Sequence, residues 1–136
     1  MKDVLLWLWQ LPQNLVGFLL SLNFKERELK YAKDCEVVEL FYEPLFGSGV
    51  SLGNYIIFDI KYYTPLKYSK DKINSINHEH GHQKQSRILG PFYLIIIGIP
   101  SLIGNLIDRV FHMGSKWYYK QPWEAWADKL GGVVRE

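Results

Sequence analysis

The stretch ILGPFYLIIIGIPSLIGNLI, residues 88 to 107, holds twenty residues without one charge. That is the length at which a helix can cross the hydrocarbon of a bilayer once, over roughly 30 Å. Pro91, Gly98, Pro100 and Gly104 stand inside it, so a straight, unbroken helix is disfavoured. What this segment can do depends on its neighbours. Ahead of it, residues 77 to 82 read NHEHGH and hold three of the four histidines; behind it, residues 123 to 128 read WEAWAD.

The histidines belong to a predicted helix. Ser69 and Asp71 are both suitable N-caps, and the pattern runs through DKINSINHEHGHQKQSRIL to Leu89, where Gly90-Pro91 stop it. On a helix His78 and His82, four residues apart, lie about 40° apart on one face and about 6 Å apart along the axis. Two imidazoles so placed can share one zinc ion at Zn–N distances of roughly 2.0 to 2.1 Å. Glu79 is one step round, where a carboxylate can take a proton from an activated water. His80 points to nearly the opposite side and is read as an ordinary, partly exposed side chain. The competing reading is a solvated, His-rich helix face. Gly81 costs a helix about 1 kcal/mol relative to Ala, and close approach of the helix to a sheet is the expected reason for it. Gln85, one turn on, is either a hydrogen-bonding support for the ligand face or simply surface.

A catalytic zinc needs a third protein ligand and an open position. PWEAWADKLGG reads as a second helix, with Pro122 in its first turn and Gly131-Gly132 at its end. It carries Glu124 and Asp128 on one face, so Glu124 can reach the metal while Asp128 accepts the free N–H of a ligating imidazole. The plainer alternatives are a glutamate favoured by the helix dipole and a solvated aspartate. If His82 and Glu124 share an ion, residues 88 to 107 cannot be one transmembrane span, which would set them some 30 Å apart. The segment is then expected to be a broken, re-entrant or interfacial helical hairpin with its break near GIPS, or to be covered by protein.

The remainder sets the frame. A chain of 136 residues is most simply one domain, and 48% apolar content with 15% aromatic residues excludes disorder. A net charge of +2 and no basic, aromatic-interleaved stretch argue against a nucleic-acid partner. The lone Cys35 leaves no intrachain disulfide and no CxxC pair. Residues 1 to 24 read as two short apolar helical pieces hinged at Pro12, without the basic flank and clear cleavage site of a cleaved signal. Gln10, Gln13 and Asn14 would be costly in lipid, so these pieces are expected to pack on the core or lie in a membrane interface. Together with residues 88 to 107 they can form one apolar wall whose uncovered part touches a membrane surface. KERELKYAKDC is read as a short exposed helix or linker. CEVVELFYEP and VSLGNYIIFDIKYY read as strands, with FGSG between them as a hairpin or sheet corner. The metal-binding core is placed in residues 36 to 136. Location is read as cytoplasmic or membrane-associated.

HEHGH followed by EAWAD resembles the gluzincin class of zinc metallopeptidases, HExxH plus ExxxD. The WExxAD form is most similar to the HtpX-like membrane-associated peptidases, and HExGHxxQS with LGPxYL and GxPSLI is similar to short bacterial zincin-like proteins. The likeness covers roughly residues 48 to 134. It implies a minimal α+β zincin-like domain, helices packed around a small β-hairpin or sheet, with the apolar broken segment between the two metal-binding helices. It implies His78, His82 and Glu124 as Zn2+ ligands, Glu79 as general base, and Asp128 as the partner of a ligating imidazole. An edge strand, for which GVSLGNYII is the candidate, would pair with an extended peptide or protein substrate. No residue matches an oxyanion stabiliser; Tyr118, Tyr119 and His112 are candidates by chemistry alone. The expected activity is zinc-dependent peptide hydrolysis. The alternative is a membrane-associated structural or interaction protein whose zinc is not catalytic.

Overall fold

The computed structural model describes residues 2–22, 25–26, 38–42, 49–59 and 70–135. In chain order these form α1 (Lys2–Trp9), α2 (Leu11–Ser21), β1 (Lys25–Glu26), β2 (Val38–Tyr42), β3 (Gly49–Leu52), β4 (Tyr55–Asp59), α3 (Lys70–Leu89), α4 (Ile99–Phe111), α5 (Ser115–Tyr119) and α6 (Pro122–Gly131). A 3-10 turn, Gly90–Phe92, and a π-helical turn, Leu94–Gly98, link α3 to α4. The architecture is α+β, with helices set against one small sheet.

The sheet has the order β1-β2-β4-β3, with β2 and β4 parallel and the other two pairs antiparallel. Of the hairpin or sheet corner expected between the two strand-like stretches, the hairpin does not form, because β4 lies between β2 and β3. The hairpin lies within the second stretch: β3 and β4 turn at Gly53-Asn54, with Leu52 opposite Tyr55 and Gly53 at φ +64°. β2 and β4 run the same way, and parallel neighbours cannot be joined by a tight turn; Phe46 to Ser48 of FGSG lie outside the described residues. Lys25 and Glu26, expected in a helix or linker, instead pair with Phe41 and Leu40 of β2. GVSLGNYII is thus split, β3 forming an edge of the sheet among the described residues and β4 lying inside it.

The N-terminal pieces hinge at Gln10, with Pro12 already in the first turn of α2 rather than at the hinge. Proline opposes the carbonyl four residues before it, so the bend falls upstream of the ring. Gln10, Gln13 and Asn14 are fully buried. Gln13 Nε2 donates to Ser86 Oγ at 2.8 Å and to the Gly90 carbonyl at 2.9 Å, and Ser86 Oγ donates to Gln10 Oε1 at 2.7 Å. Asn14 Oδ1 accepts the Asn54 N–H of the β3–β4 turn at 2.7 Å. The amides that would be costly in lipid therefore join α1 and α2 to α3 and to the sheet.

Helix α3 begins at Lys70, so Asp71 lies inside its first turn, and Ser69 falls outside the described residues. The two metal-motif helices pack backbone to backbone. A Cβ placed on Gly81 would lie 1.8 Å from the Ala127 carbonyl oxygen, and one on Gly131 would lie 1.9 Å from that of Asn77. The partner that Gly81 admits is α6, not the sheet. Gly132, left-handed at φ 71°, ends α6 as expected.

The apolar segment is broken as expected, but at Gly90, left-handed at φ 55°, and not as a hairpin at GIPS. From Tyr93 it runs on as one helical path to Phe111, with the π-turn ending two residues before Pro100. A wider turn accommodates a residue that cannot donate to the carbonyl four positions back. The chain reverses later, at His112 (φ 51°) and Gly114 (φ 90°), where the Gly114 N–H donates to Asp108 Oδ1 at 2.7 Å. α5 then folds back along α4, with the Tyr118 ring 3.6 Å from the position of a Gly104 Cβ. Tyr93 and Ile97 point inward, whereas Ile95, Ile99, Leu102 and Leu106 remain exposed.

An alanine in an exposed helix interior is worth about 1 kcal/mol over glycine, but Gly81→Ala is expected to reverse that sign. Backbone collision with α6 should destabilise the protein by about 1–3 kcal/mol, read as a lowered denaturation midpoint.

Candidate metal centre

The two packed helices bring the three sequence-predicted ligands together. His78, His82 and Glu124 are buried, and one donor atom from each lies within 4.8 Å of the others. His78 Nε2 and His82 Nε2 both lie 3.0 Å from Glu124 Oε2. The rings stand edge to face, centroids 4.6 Å apart at 85°, so two nitrogens one helical turn apart aim at one point.

The outer nitrogens decide the protonation pattern. His78 Nδ1 donates to Asp128 Oδ1 at 2.7 Å. His82 Nδ1 lies 2.7 Å from Gln85 Oε1, and the Gln85 amide nitrogen donates to the Trp123 carbonyl at 2.8 Å. The amide is therefore oriented with its oxygen towards His82, which must donate. With a hydrogen on each Nδ1, the neutral rings turn bare Nε2 lone pairs to a carboxylate. Such a cluster is repulsive without positive charge inside it, as either extra protons or a metal ion. The donor set suits an ion: tetrahedral ligands at about 2.0–2.2 Å lie roughly 3.3 Å apart. Glu124 Oε1, buried with no partner, fits the same reading. This group can hold a metal ion.

Charge in the metal-free site follows from the same contacts. Burial works against charging His78, but hydrogen bonds to Asp128 and Glu124 outweigh it and raise its pKa to about 9. Burial likewise opposes charge on Glu124, yet the two histidines hold its carboxyl far below the usual range. Glu79 is raised, because burial exceeds the pull of His82 and His78. Its Oε2 is buried without a hydrogen-bond partner. Asp128 is lowered despite burial, through His78 and Arg135.

Gln85 is buried against His82 Nδ1 rather than at the surface, and His80 is half-buried. Of the three oxyanion candidates, the Tyr118 hydroxyl lies beside Glu124 and 2.9 Å from Ser101 Oγ. The Tyr119 ring stands edge-on to His78 at 5.0 Å and under the Arg135 guanidinium at 3.3 Å. His112 is exposed at the far end of α4.

Two residues were not singled out from the sequence. Arg135 grips Asp128 with two bonds, Nε to Oδ2 at 2.6 Å and Nη2 to Oδ1 at 3.0 Å. It sits past the Gly132 cap, outside the helix that carries Asp128, so no helical pattern marks it. Tyr93 is buried near Glu79 and donates to the Ser51 carbonyl of β3 at 3.0 Å. In a two-residue hairpin the pair after the terminal one faces outward, so Ser51 offers its carbonyl to the open edge, where Tyr93 already occupies it.

Asp128→Asn should weaken divalent-metal affinity by roughly 10–100-fold, because the imidazole loses its charged acceptor. Arg135→Gln should weaken it in the same direction by less, with titration calorimetry reading both.

No family model matches this chain, and neither curated proteins nor solved structures show a match to it, so the reading of this centre rests on its own geometry and chemistry.

Proposed function

We propose that the protein is a zinc-dependent metallopeptidase of the gluzincin type, with His78, His82 and Glu124 as ligands and peptide bonds of a polypeptide as substrate. The observation that carries the reading is the convergence of two oriented imidazoles and a carboxylate beside a fourth group, Glu79, that takes no part in holding them. Zinc in this position supplies Lewis acidity, polarising a carbonyl and bringing the pKa of a water towards about 7.

The chain's own residues do the rest. Asp128 and Gln85 hold the two rings by their Nδ1 hydrogens, so neither ring can turn its Nε2 away. Arg135 keeps Asp128 in place and charged. Glu79, its carboxyl raised by burial, accepts a proton from the attacking water on its unpartnered Oε2 and passes it to the leaving nitrogen. The Tyr118 hydroxyl, beside Glu124, is the best placed of the three candidates to donate to a developing oxyanion. β3 is a sheet edge as substrate pairing requires, although at Ser51 an incoming strand has to displace the Tyr93 hydroxyl.

The second reading is a metal that only ties α3 to α6, and the deep burial of all three donors favours it. Structural zinc sites are closed by four protein ligands, whereas among the described residues three donors converge here, which favours catalysis. Glu79→Gln separates the two: metal content should persist while peptide hydrolysis falls by about 10²–10⁴-fold. Stoichiometric metal surviving both His78→Ala and Glu124→Ala would overturn the site itself.

The two states of the site should answer pH oppositely. In chelator, His78 has a folded-state pKa near 9 against 6.5 ordinarily, so its stabilisation is complete below 6.5 and is lost as pH rises through about 9. Bound metal needs unprotonated Nε2 atoms, so the gain in melting temperature on adding zinc should grow across the same interval. Paired thermal melts with and without zinc measure both trends.

A further inference from the structure

Among the described residues, many large apolar side chains face outward while a set of polar ones is buried. Among the described residues the buried hydrophobic side chains are Leu52, Ile56, Tyr93, Ile97 and Ala127, while buried polar ones include Gln10, Gln13, Asn14, Gln83 and Gln85. The large aliphatic residues point the other way. On α2, Leu15, Phe18, Leu19 and Leu22 are exposed; along the path to α4, so are Ile95, Ile99, Leu102, Leu106 and Val110. Only 11% of Leu94–Phe111 is buried. Both helices thus turn small or polar residues to the protein and present an apolar stripe to whatever surrounds it, the reverse of the distribution that water imposes.

We infer that this face seats the protein on an anionic lipid bilayer, with α4 lying in the interface and not crossing it. The charges around the stripe argue for lipid. No residue between Arg87 and Asp108 is charged, and the flanks carry Lys84, Arg87, Arg109, Lys116 and Lys120 against the single acid Asp108. An apolar stripe with cationic ends matches acyl chains bordered by negative headgroups.

The packing argues against a span. α5 lies back along α4, its Tyr118 hydroxyl 2.9 Å from Ser101 Oγ, and Lys116 and Lys120 on either side of that tyrosine are exposed. Were α4 to cross, those ammonium groups would be drawn into hydrocarbon, where an unpaired charge is costly. Laid flat, α4 puts its aliphatic side chains into the acyl boundary and leaves both lysines at headgroup level.

The test is flotation of the full-length protein with phosphatidylcholine vesicles, with and without phosphatidylglycerol. The protein should float with the anionic vesicles, less with neutral ones, and less again in high salt. Ile99→Glu with Leu106→Glu should reduce the bound fraction about tenfold or more. Circular dichroism and divalent-metal binding of that double variant should be unchanged, showing that the fold survives. Metal binding also keeps this inference separate from peptidase activity, since either can fail alone. Wild-type protein that stays in the dense fraction with every vesicle overturns the inference. So does a stable dimer in which these side chains are protected and lipid is ignored. Resistance to both salt and alkaline extraction would indicate a span and overturn it as well.

Discussion

Three buried lone-pair donors, with both imidazole nitrogens 3.0 Å from one carboxylate oxygen, need positive charge between them. Much of this structure serves to bring His78, His82 and Glu124 into that unfavourable proximity and keep them there. Gly81 and Gly131 remove the side chains that would hold α3 and α6 apart. Asp128, Gln85 and Arg135 then fix the rings, so the cluster cannot relax by rotation. Without an ion the site takes up protons, which is why His78 is so basic. With an ion the same contacts become ligand orientation.

The second constraint is the direction of the apolar faces. Helices α1 and α2 are tied to α3 through side-chain amides, the Ser86 hydroxyl and the Trp9 indole, which donates to the Arg87 carbonyl, and α4 meets α5 through Ser101 and Gly104. Hydrogen bonds of this kind hold a helix in one register at about 1 kcal/mol each, and they leave the greasy side free. The polar residues of the N-terminal segment thus have an inward role, and the π-turn ahead of Pro100 lets the apolar path continue without exposing a broken backbone.

Part of this was legible in the residues. Helical spacing places His78 beside His82 and Glu124 beside Asp128, because 3.6 residues per turn is a local property that needs no tertiary knowledge. The requirement that positions 82 and 124 meet also argued against a single span between them. Other features were not legible. FGSG looked like a hairpin turn or a sheet corner, yet the sheet placed β2 beside β4 and the hairpin at Gly53-Asn54, because strand neighbours are chosen by non-local pairing. GIPS looked like a break, yet neighbouring packing kept the path helical to Phe111.

By itself, then, the sequence determined which side chains share a helical face, where α6 stops, and that two stretches carry a charge-free apolar side. Tertiary structure alone decided what each face meets. It put Ala127 over Gly81, turned the Gln85 oxygen towards His82, and returned Arg135 to Asp128 from beyond a left-handed cap. It also sent the aliphatic side chains outward and the amides inward. Periodicity along a chain specifies that a face exists; only the packing of distant elements specifies its partner.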